Sequence, residues 1–201
     1  MTGYTDTWPP VSSELLGLLD VAALARQQVG NLQIDGLVAE PRFHDRLLQL
    51  LVGGPVPLGA VEDAGDRQVL RADASRWAHL SRASGAVCHA QTFACAIQAS
   101  QLQALNDRFG RELYELALTH RTLAWLPALT SDQAELEATV VAAGEACMAA
   151  WFSQLPGPLQ AWMRLRGFAA QPALDDEHDA RRVAIVRAVA VDFLSEAAGR
   201  S

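Results

Sequence analysis

Lysine is missing from this chain, and aromatic residues and long hydrophobic runs are scarce. All sixteen basic residues are arginine, so neither a Schiff-base lysine nor a phosphate-loop lysine is available. Only 6% of residues are aromatic although 50% are hydrophobic, so the apolar mass is aliphatic, mainly alanine and leucine. No apolar run reaches the roughly 18 to 20 residues that a membrane span requires. The composition therefore predicts a helical chain without direct membrane insertion.

Positive charge is also in deficit. Sixteen basic residues stand against 23 acidic ones, which gives a formal net charge of −7. Binding to phosphate backbones or anionic lipid needs clustered cations, so the sequence predicts neither a nucleic-acid partner nor a membrane surface. An acidic surface favours a basic patch on a protein partner, and such binding weakens as salt is added.

Cysteine is rare and odd in number, with three residues in the chain. Cys88, Cys95 and Cys147 lie in apolar stretches with helical spacing, where we expect buried thiols in a reducing compartment. The first ten residues include Asp6 and lack the basic and apolar regions of a signal peptide. These features predict a cytoplasmic protein.

Glycine and proline divide the chain at one main linker, residues 53–57, which reads Gly-Gly-Pro-Val-Pro. Before it, helical spacing is visible at 14–28 and 43–52. We therefore predict a less regular helical N-terminal region over 1–57 and a main helical domain over 58–201. The stretch 58–66 is interpreted as irregular surface. The predicted fold class is all-α, a single compact multi-helix domain, which suits a chain of 201 residues.

The main domain has helical periodicity almost throughout, and no stretch alternates as a strand would. We predict helices over 74–90, around 93–97, over 159–166 and over 179–198. The remaining predictions rest on apolar stripes: Leu102, Leu105, Phe109, Leu113 and Leu116 on one helix running across Gly110; Leu136, Val140, Ala143, Cys147 and Trp151 on a second; and Val183, Val186, Val189 and Phe193 on the last.

Two clusters contain residue types that bind metals. The acidic run with His178 at 175–179 is interpreted as the first turn of a helix, because acidic residues there complement the helix dipole. Cys88, His89 and Cys95 have neither a CxxC nor an HxxxH pair, so they do not predict zinc. We predict no catalytic, cofactor-binding or metal-binding residue, no small-molecule substrate and no enzymatic activity.

Four of the five tryptophans separate into two groups by their sequence surroundings. Trp77 and Trp151 have apolar neighbours at helical spacing and are predicted to lie in the core. Trp125 and Trp162 lie near helix ends beside prolines, where tryptophan can anchor a protein interface. Burial in the core is the alternative for each. Trp125 and Trp162, together with Arg164 and Arg166, are the predicted partner-binding residues.

A series of segments over residues 77–170 resembles the YscK/SctK family of type III secretion proteins, with its divergent relatives OrgA and MxiK. The resemblance lies in the order of these segments: Val87-Cys88-His89-Ala90, Phe93-Ala94-Cys95-Ala96-Ile97, Gln101-Leu102-Gln103-Ala104-Leu105, Leu116-Ala117-Leu118-Thr119-His120-Arg121, Cys147-Met148-Ala149-Ala150-Trp151-Phe152, Gln160-Ala161-Trp162 and Arg164-Leu165-Arg166.

This resemblance implies a non-catalytic cytoplasmic adaptor of the injectisome sorting platform, a virulence-associated protein-transport machine. Such an adaptor is peripheral to the inner-membrane secretion apparatus. It links the cytoplasmic domain of the inner-membrane ring protein to the pod protein, so its expected partners are proteins. The alternatives are a type III secretion chaperone or another helical protein-binding regulator, and an enzyme with an unrecognised helical active site.

Overall fold

The structure is a computed structural model that describes residues 61–128, 133–169 and 177–199. In these ranges the chain forms helices and no strand, so the all-α prediction is confirmed. The α-helices are α1 (Ala64–Arg71), α2 (Ala74–Cys88), α3 (Ala90–Ala94), α4 (Ala99–Phe109), α5 (Arg111–Thr119), α6 (Gln133–Ser153), α7 (Gly157–Leu165) and α8 (Asp179–Gly199), and a 3-10 turn spans Arg121–Leu123.

Several predictions lie outside the described residues. They are the segments at 14–28 and 43–52, the linker at 53–57, the less regular character of the N-terminal region, and Asp175 and Asp176. The division of the chain into 1–57 and 58–201 therefore stays a prediction. The described helices fall into two compact units, one with α1 to α6 and α8, called the main unit, and one with α7, called the α7 unit.

The first two helices begin at aspartate caps. The Asp63 carboxylate accepts a hydrogen bond from the Asp66 amide at 2.9 Å, and the Asp73 carboxylate accepts one from the Arg76 amide at 2.9 Å. Each bond satisfies an amide that has no partner within the helix. The Ser75 hydroxyl also donates to Asp73, and this bond is the main reason why the pKa of Asp73 is lowered.

Helices α2 and α6 form the centre of the main unit, and glycine lets their backbones touch. A Cβ added at Gly85 would overlap the Val140 carbonyl oxygen, and one added at Gly144 would overlap the Ser81 carbonyl oxygen. Any larger residue at either position must push the helices apart. The predicted core positions Trp77 and Trp151 are both buried, which confirms that prediction.

The interpretation of 58–66 as irregular surface is wrong for residues 64–66, which form the start of helix α1. The helix begins at Ala64, and Asp66 is only 7% exposed. The Asp66 carboxylate accepts bonds from Arg187 Nε at 2.9 Å and Nη2 at 2.8 Å, and from Trp151 Nε1 at 2.8 Å. Hydrogen bonding to Asp66 is the main cause of the raised pKa of Arg187. The two-point ion pair links α1 to α8, and the indole hydrogen bond links α1 to α6.

The predicted continuous helix across Gly110 is wrong. Gly110 adopts φ 84°, a conformation that favours glycine, and α4 ends there while α5 begins at the next residue. The apolar stripe nevertheless reaches the core on both sides of the break. Leu105 and Phe109 are buried, and Leu113 packs against the same cluster.

The helix predicted around 93–97 is shorter than expected, because α3 ends at Ala94. Phe93 is buried, whereas Ile97 lies beyond the helix and is exposed. Burial was also wrong for one thiol: Cys88 and Cys147 are buried, but Cys95 is exposed.

The remaining helices follow their predicted stripes. Leu136, Val140, Cys147 and Trp151 are buried on α6, and Val183, Val186 and Val189 are buried on α8. The side chain of Phe193 lies outside the described residues. In the α7 unit, Gly167 adopts φ 85° and the Phe168 amide donates to the Met163 carbonyl at 3.0 Å, which ends α7 close to the predicted position.

Candidate protein-interaction surface

The predicted partner-binding residues of the α7 unit are not equally accessible. Trp162 is 1% exposed, and the Arg166 guanidinium lies 5.7 Å from the centre of its ring. The indole is therefore in the core, which was the alternative for this residue, and Arg166 covers it. Arg164 is the exposed member of the three.

Trp125 belongs to the main unit and follows the 3-10 turn. Its side chain is half-buried, and its ring centre lies 5.7 Å from that of His178 at an angle of 53°. His178 comes directly before α8, so the ring contact joins the segment after the 3-10 turn to the start of that helix. The partial exposure leaves Trp125 available as an interface residue, and its role stays a prediction.

A further surface was missed from the sequence. Residues 90–106 contain no aspartate, glutamate, lysine or arginine, although 19% of the chain is charged. We call this stretch the uncharged segment. Most of it faces solvent, and its exposed members are Gln91, Ala94, Cys95, Ile97, Gln98, Ala99, Ser100, Gln101 and Gln103.

Ile97 is the most prominent residue of the uncharged segment. It is 90% exposed, far above the other large hydrophobic residues that stand out on the described surface, Val141 at 41% and Val191 at 39%. Exposing an isoleucine in water forgoes roughly 1.5 to 3 kcal/mol of burial free energy. Solitary exposed aliphatic residues are common. Ile97 differs from these because it lies within an uncharged segment. That combination is typical of the centre of an interface, where charged residues are depleted.

The backbone that carries Ile97 is held on both sides. Phe93 on α3 packs edge-on against Phe109 with ring centres 5.2 Å apart, and it also contacts Tyr114 at 6.1 Å. On the other side, the Gln98 amide donates to Gln101 Oε1 at 3.4 Å as α4 begins. The exposed isoleucine therefore lies between the end of α3, which Phe93 anchors in the core, and the capped start of α4.

Charged residues border the uncharged segment on both sides, and Asp107, which follows it directly, is exposed. Arg82 precedes it and Arg108 follows it, and both form ion pairs with Glu137 on α6. Arg82 Nη2 also donates to the Arg108 carbonyl oxygen at 2.9 Å, and its guanidinium lies 5.5 Å from the Phe109 ring centre. The two arginines share one carboxylate, and their side chains are 35% and 45% exposed, so this border of the segment keeps some positive charge.

One buried histidine lies at the base of the uncharged segment. His89 separates α2 from α3 and is 5% exposed. Burial lowers the pKa of His89, although a hydrogen bond with the Thr139 backbone opposes that effect. The imidazole is therefore neutral at pH 7, and no charge enters the surface from this side.

Neither a metal-binding cluster nor a membrane-spanning helix is found among the described residues. Across 61–128, 135–169 and 177–192, no group of three or more His, Cys, Asp or Glu side chains is arranged to hold a metal ion. Among the helices of the described part of the chain, none combines the length and the apolar character that a membrane crossing requires.

Comparison with known proteins adds no relative. No family model, no curated protein sequence and no solved structure matches the chain. The resemblance to the YscK/SctK family therefore rests on the order of the sequence segments alone.

Proposed function

We propose that this protein is a non-catalytic adaptor of a type III secretion system, linking the cytoplasmic domain of the inner-membrane ring protein to the pod protein of the sorting platform. It acts in the cytoplasm, at the face of the inner-membrane apparatus. Its contribution is mechanical, because it holds two partner surfaces at a fixed distance and orientation.

The family resemblance supports this proposal, and some of its segments coincide with structural junctions. Residues 87–90 cover the junction of α2 and α3, and residues 93–97 contain the end of α3 together with Ile97. Residues 116–121 cover the end of α5 and the start of the 3-10 turn. Two of the seven segments, 93–97 and 101–105, lie within the uncharged segment, and 87–90 overlaps its start.

The observation that carries the proposal is the exposed Ile97 in an uncharged, anchored surface. A protein that works by binding other proteins needs a preformed apolar contact with few charges to desolvate. The uncharged segment meets both conditions. Contact through it depends on apolar burial, so its affinity is expected to be insensitive to salt.

The acidic character of the chain supports a second kind of contact. With a net charge of −7, a basic partner patch is attracted at low salt and released as salt rises. An adaptor with two partners can use one contact of each kind. Salt dependence then separates the partner held by the uncharged segment from the partner held by charge.

The test is a pull-down of the tagged protein from the lysate of its native host, at low and at moderate salt, with the bound proteins identified. We expect to recover the ring protein's cytoplasmic domain and the pod protein, and to see one of them lost as salt rises. Ile97→Asp is the test variant. Val141→Asp on α6 is the matched control, because it adds the same charge at an exposed aliphatic position outside the segment.

Loss of one partner with Ile97→Asp, and its retention with Val141→Asp, supports the adaptor and assigns that partner to the uncharged segment. Recovery of neither secretion protein overturns the proposal. Retention of one client protein then favours the chaperone alternative, and retention of a small molecule favours an enzyme.

A further inference from the structure

Two buried thiols meet between the central helices, and the interaction-surface proposal does not use them. Cys88 Sγ on α2 and Cys147 Sγ on α6 are 3.3 Å apart, and both residues are buried. A disulfide requires about 2.05 Å between sulfurs. A movement of little more than 1 Å at the side chains would therefore bring the sulfurs to bonding distance.

The backbone explains why these cysteines meet. Each follows by three residues one of the glycines at which α2 and α6 touch, Gly85 before Cys88 and Gly144 before Cys147. Residues three apart lie on the same helix face, so both thiols point along the zone of contact. The helices that hold them are the two central helices of the main unit, and their close approach is fixed by backbone contact.

The surroundings make the reduced pair slow to react. The hydrogen bond with Cys88, and then burial, raise the pKa of Cys147 well above its ordinary value, while the nearby Arg182 lowers it. Thiolate is the reactive form, so attack by a reagent requires a transient opening of the α2–α6 contact. Cys95 is exposed and offers no neighbouring cysteine among the described contacts, so it differs from the pair in both access and partner.

We propose that Cys88 and Cys147 form a redox modification site that a hydroperoxide converts into a disulfide linking α2 to α6. One thiolate attacks a peroxide oxygen, the O–O bond breaks, and a sulfenic acid and an alcohol or water are formed. The second thiol then attacks the sulfenic sulfur, the S–S bond forms, and hydroxide leaves and takes up a proton as water. Two thiols are oxidised and one peroxide is reduced.

The disulfide closes a long loop, because the two cysteines are 59 residues apart. Such a link restricts the unfolded chain and resists separation of α2 and α6. In a reducing compartment it is transient, and a thiol reductant restores the dithiol. This proposal is independent of the adaptor function.

The test exposes the folded full-length protein to hydrogen peroxide, blocks the remaining thiols with an alkylating reagent, and maps the peptides by mass spectrometry. We expect a linked pair of peptides containing Cys88 and Cys147, reversed by dithiothreitol, with two of the three free thiols lost on its formation. The oxidised protein should unfold at a higher urea concentration than the reduced protein.

Cys95→Ser is the matched control, because it removes the exposed thiol and leaves the pair unchanged. The linked peptides should form in this variant at the rate seen in the wild type. The proposal is overturned if the disulfide forms only in unfolded protein, if Cys95 pairs with either buried cysteine, or if both buried thiols stay reduced while Cys95 is oxidised. The wild-type peptide map decides between these outcomes even if variants at Cys88 or Cys147 fail to fold.

Discussion

The α2–α6 contact and the uncharged segment look alike in sequence and differ completely in the structure. Residues 83–88 of α2 and 146–152 of α6 contain no charge and are almost entirely buried, whereas residues 90–106 contain no charge and are mostly exposed. Helical continuity and glycine spacing distinguish them. Gly85 and Gly144 let long helices meet, while α3 ends after one turn and releases Ile97 to solvent. Lack of charge alone therefore does not predict whether a segment is buried or exposed.

The largest effect should come from breaking the α2–α6 contact with Gly85→Ala. The added methyl group overlaps the Val140 carbonyl oxygen, which is backbone and cannot rotate away. We expect a loss of about 3 kcal/mol in the free energy of unfolding, at the upper end of overpacking penalties. Urea titration followed by circular dichroism measures it. Gly157→Ala is the control, because a Cβ there meets nothing within 4 Å, and an equal loss in both variants would contradict the proposed close contact.

A smaller loss is expected when α1 is released from the same core by Asp66→Ala. The change leaves the Trp151 indole N–H without its acceptor and removes the ion pair with Arg187. Arg187 remains 39% exposed, so water solvates it and the expected loss is about 2 kcal/mol. The same urea titration measures it. Glu115→Ala breaks the exposed Arg111–Glu115 pair and should leave the free energy of unfolding almost unchanged.

The free energy of unfolding should depend on pH through His89, which lies between α2 and the uncharged segment. Since burial lowers the pKa of His89 from 6.5, the unfolded chain takes up a proton first as pH falls. Its stabilising contribution is complete above about pH 6.5 and is lost as pH falls from there toward the folded pKa. Unfolding free energies measured between pH 7.5 and 5 should therefore decline, and less steeply in His89→Gln. Identical slopes in the two proteins would show that His89 does not cause the pH dependence.

The smallest effect on stability is expected in the uncharged segment. Ile97→Asp removes a side chain that is 90% exposed, so the unfolding free energy should change by no more than about 0.5 kcal/mol. Partner recovery should fall nonetheless. A large loss of stability in thermal unfolding would mean that Ile97 supports the fold, and the interface assignment would then lose its basis.

Much of this architecture follows from local rules. The stripe Val183, Val186 and Val189 predicts the buried face of α8, and the buried positions of α6 follow in the same way. These predictions succeed because helical spacing is a property of neighbouring residues, and burial of one face follows directly from it.

The wrong predictions lie where contacts with distant residues, or the backbone conformation, determine the structure. Asp66 stands in a glycine- and acid-containing stretch, and its partner Arg187 is 121 residues away, so nothing local predicts its burial. Gly110 interrupts a helix although the apolar spacing continues across it, because its positive φ is invisible in the side-chain pattern. The uncharged segment was detectable as a run without charge, but spacing alone could not predict that Ile97 faces solvent.

The long reach of the Asp66–Arg187 pair also bears on how the protein is made. Because α1 leaves the ribosome long before α8, the Asp66 carboxylate must stay hydrated, or α1 unpacked, until Arg187 has been synthesised. Contacts between segments so far apart form late and slow the completion of folding. A chaperone acting during translation would therefore encounter α1 before this helix has packed onto the rest of the main unit.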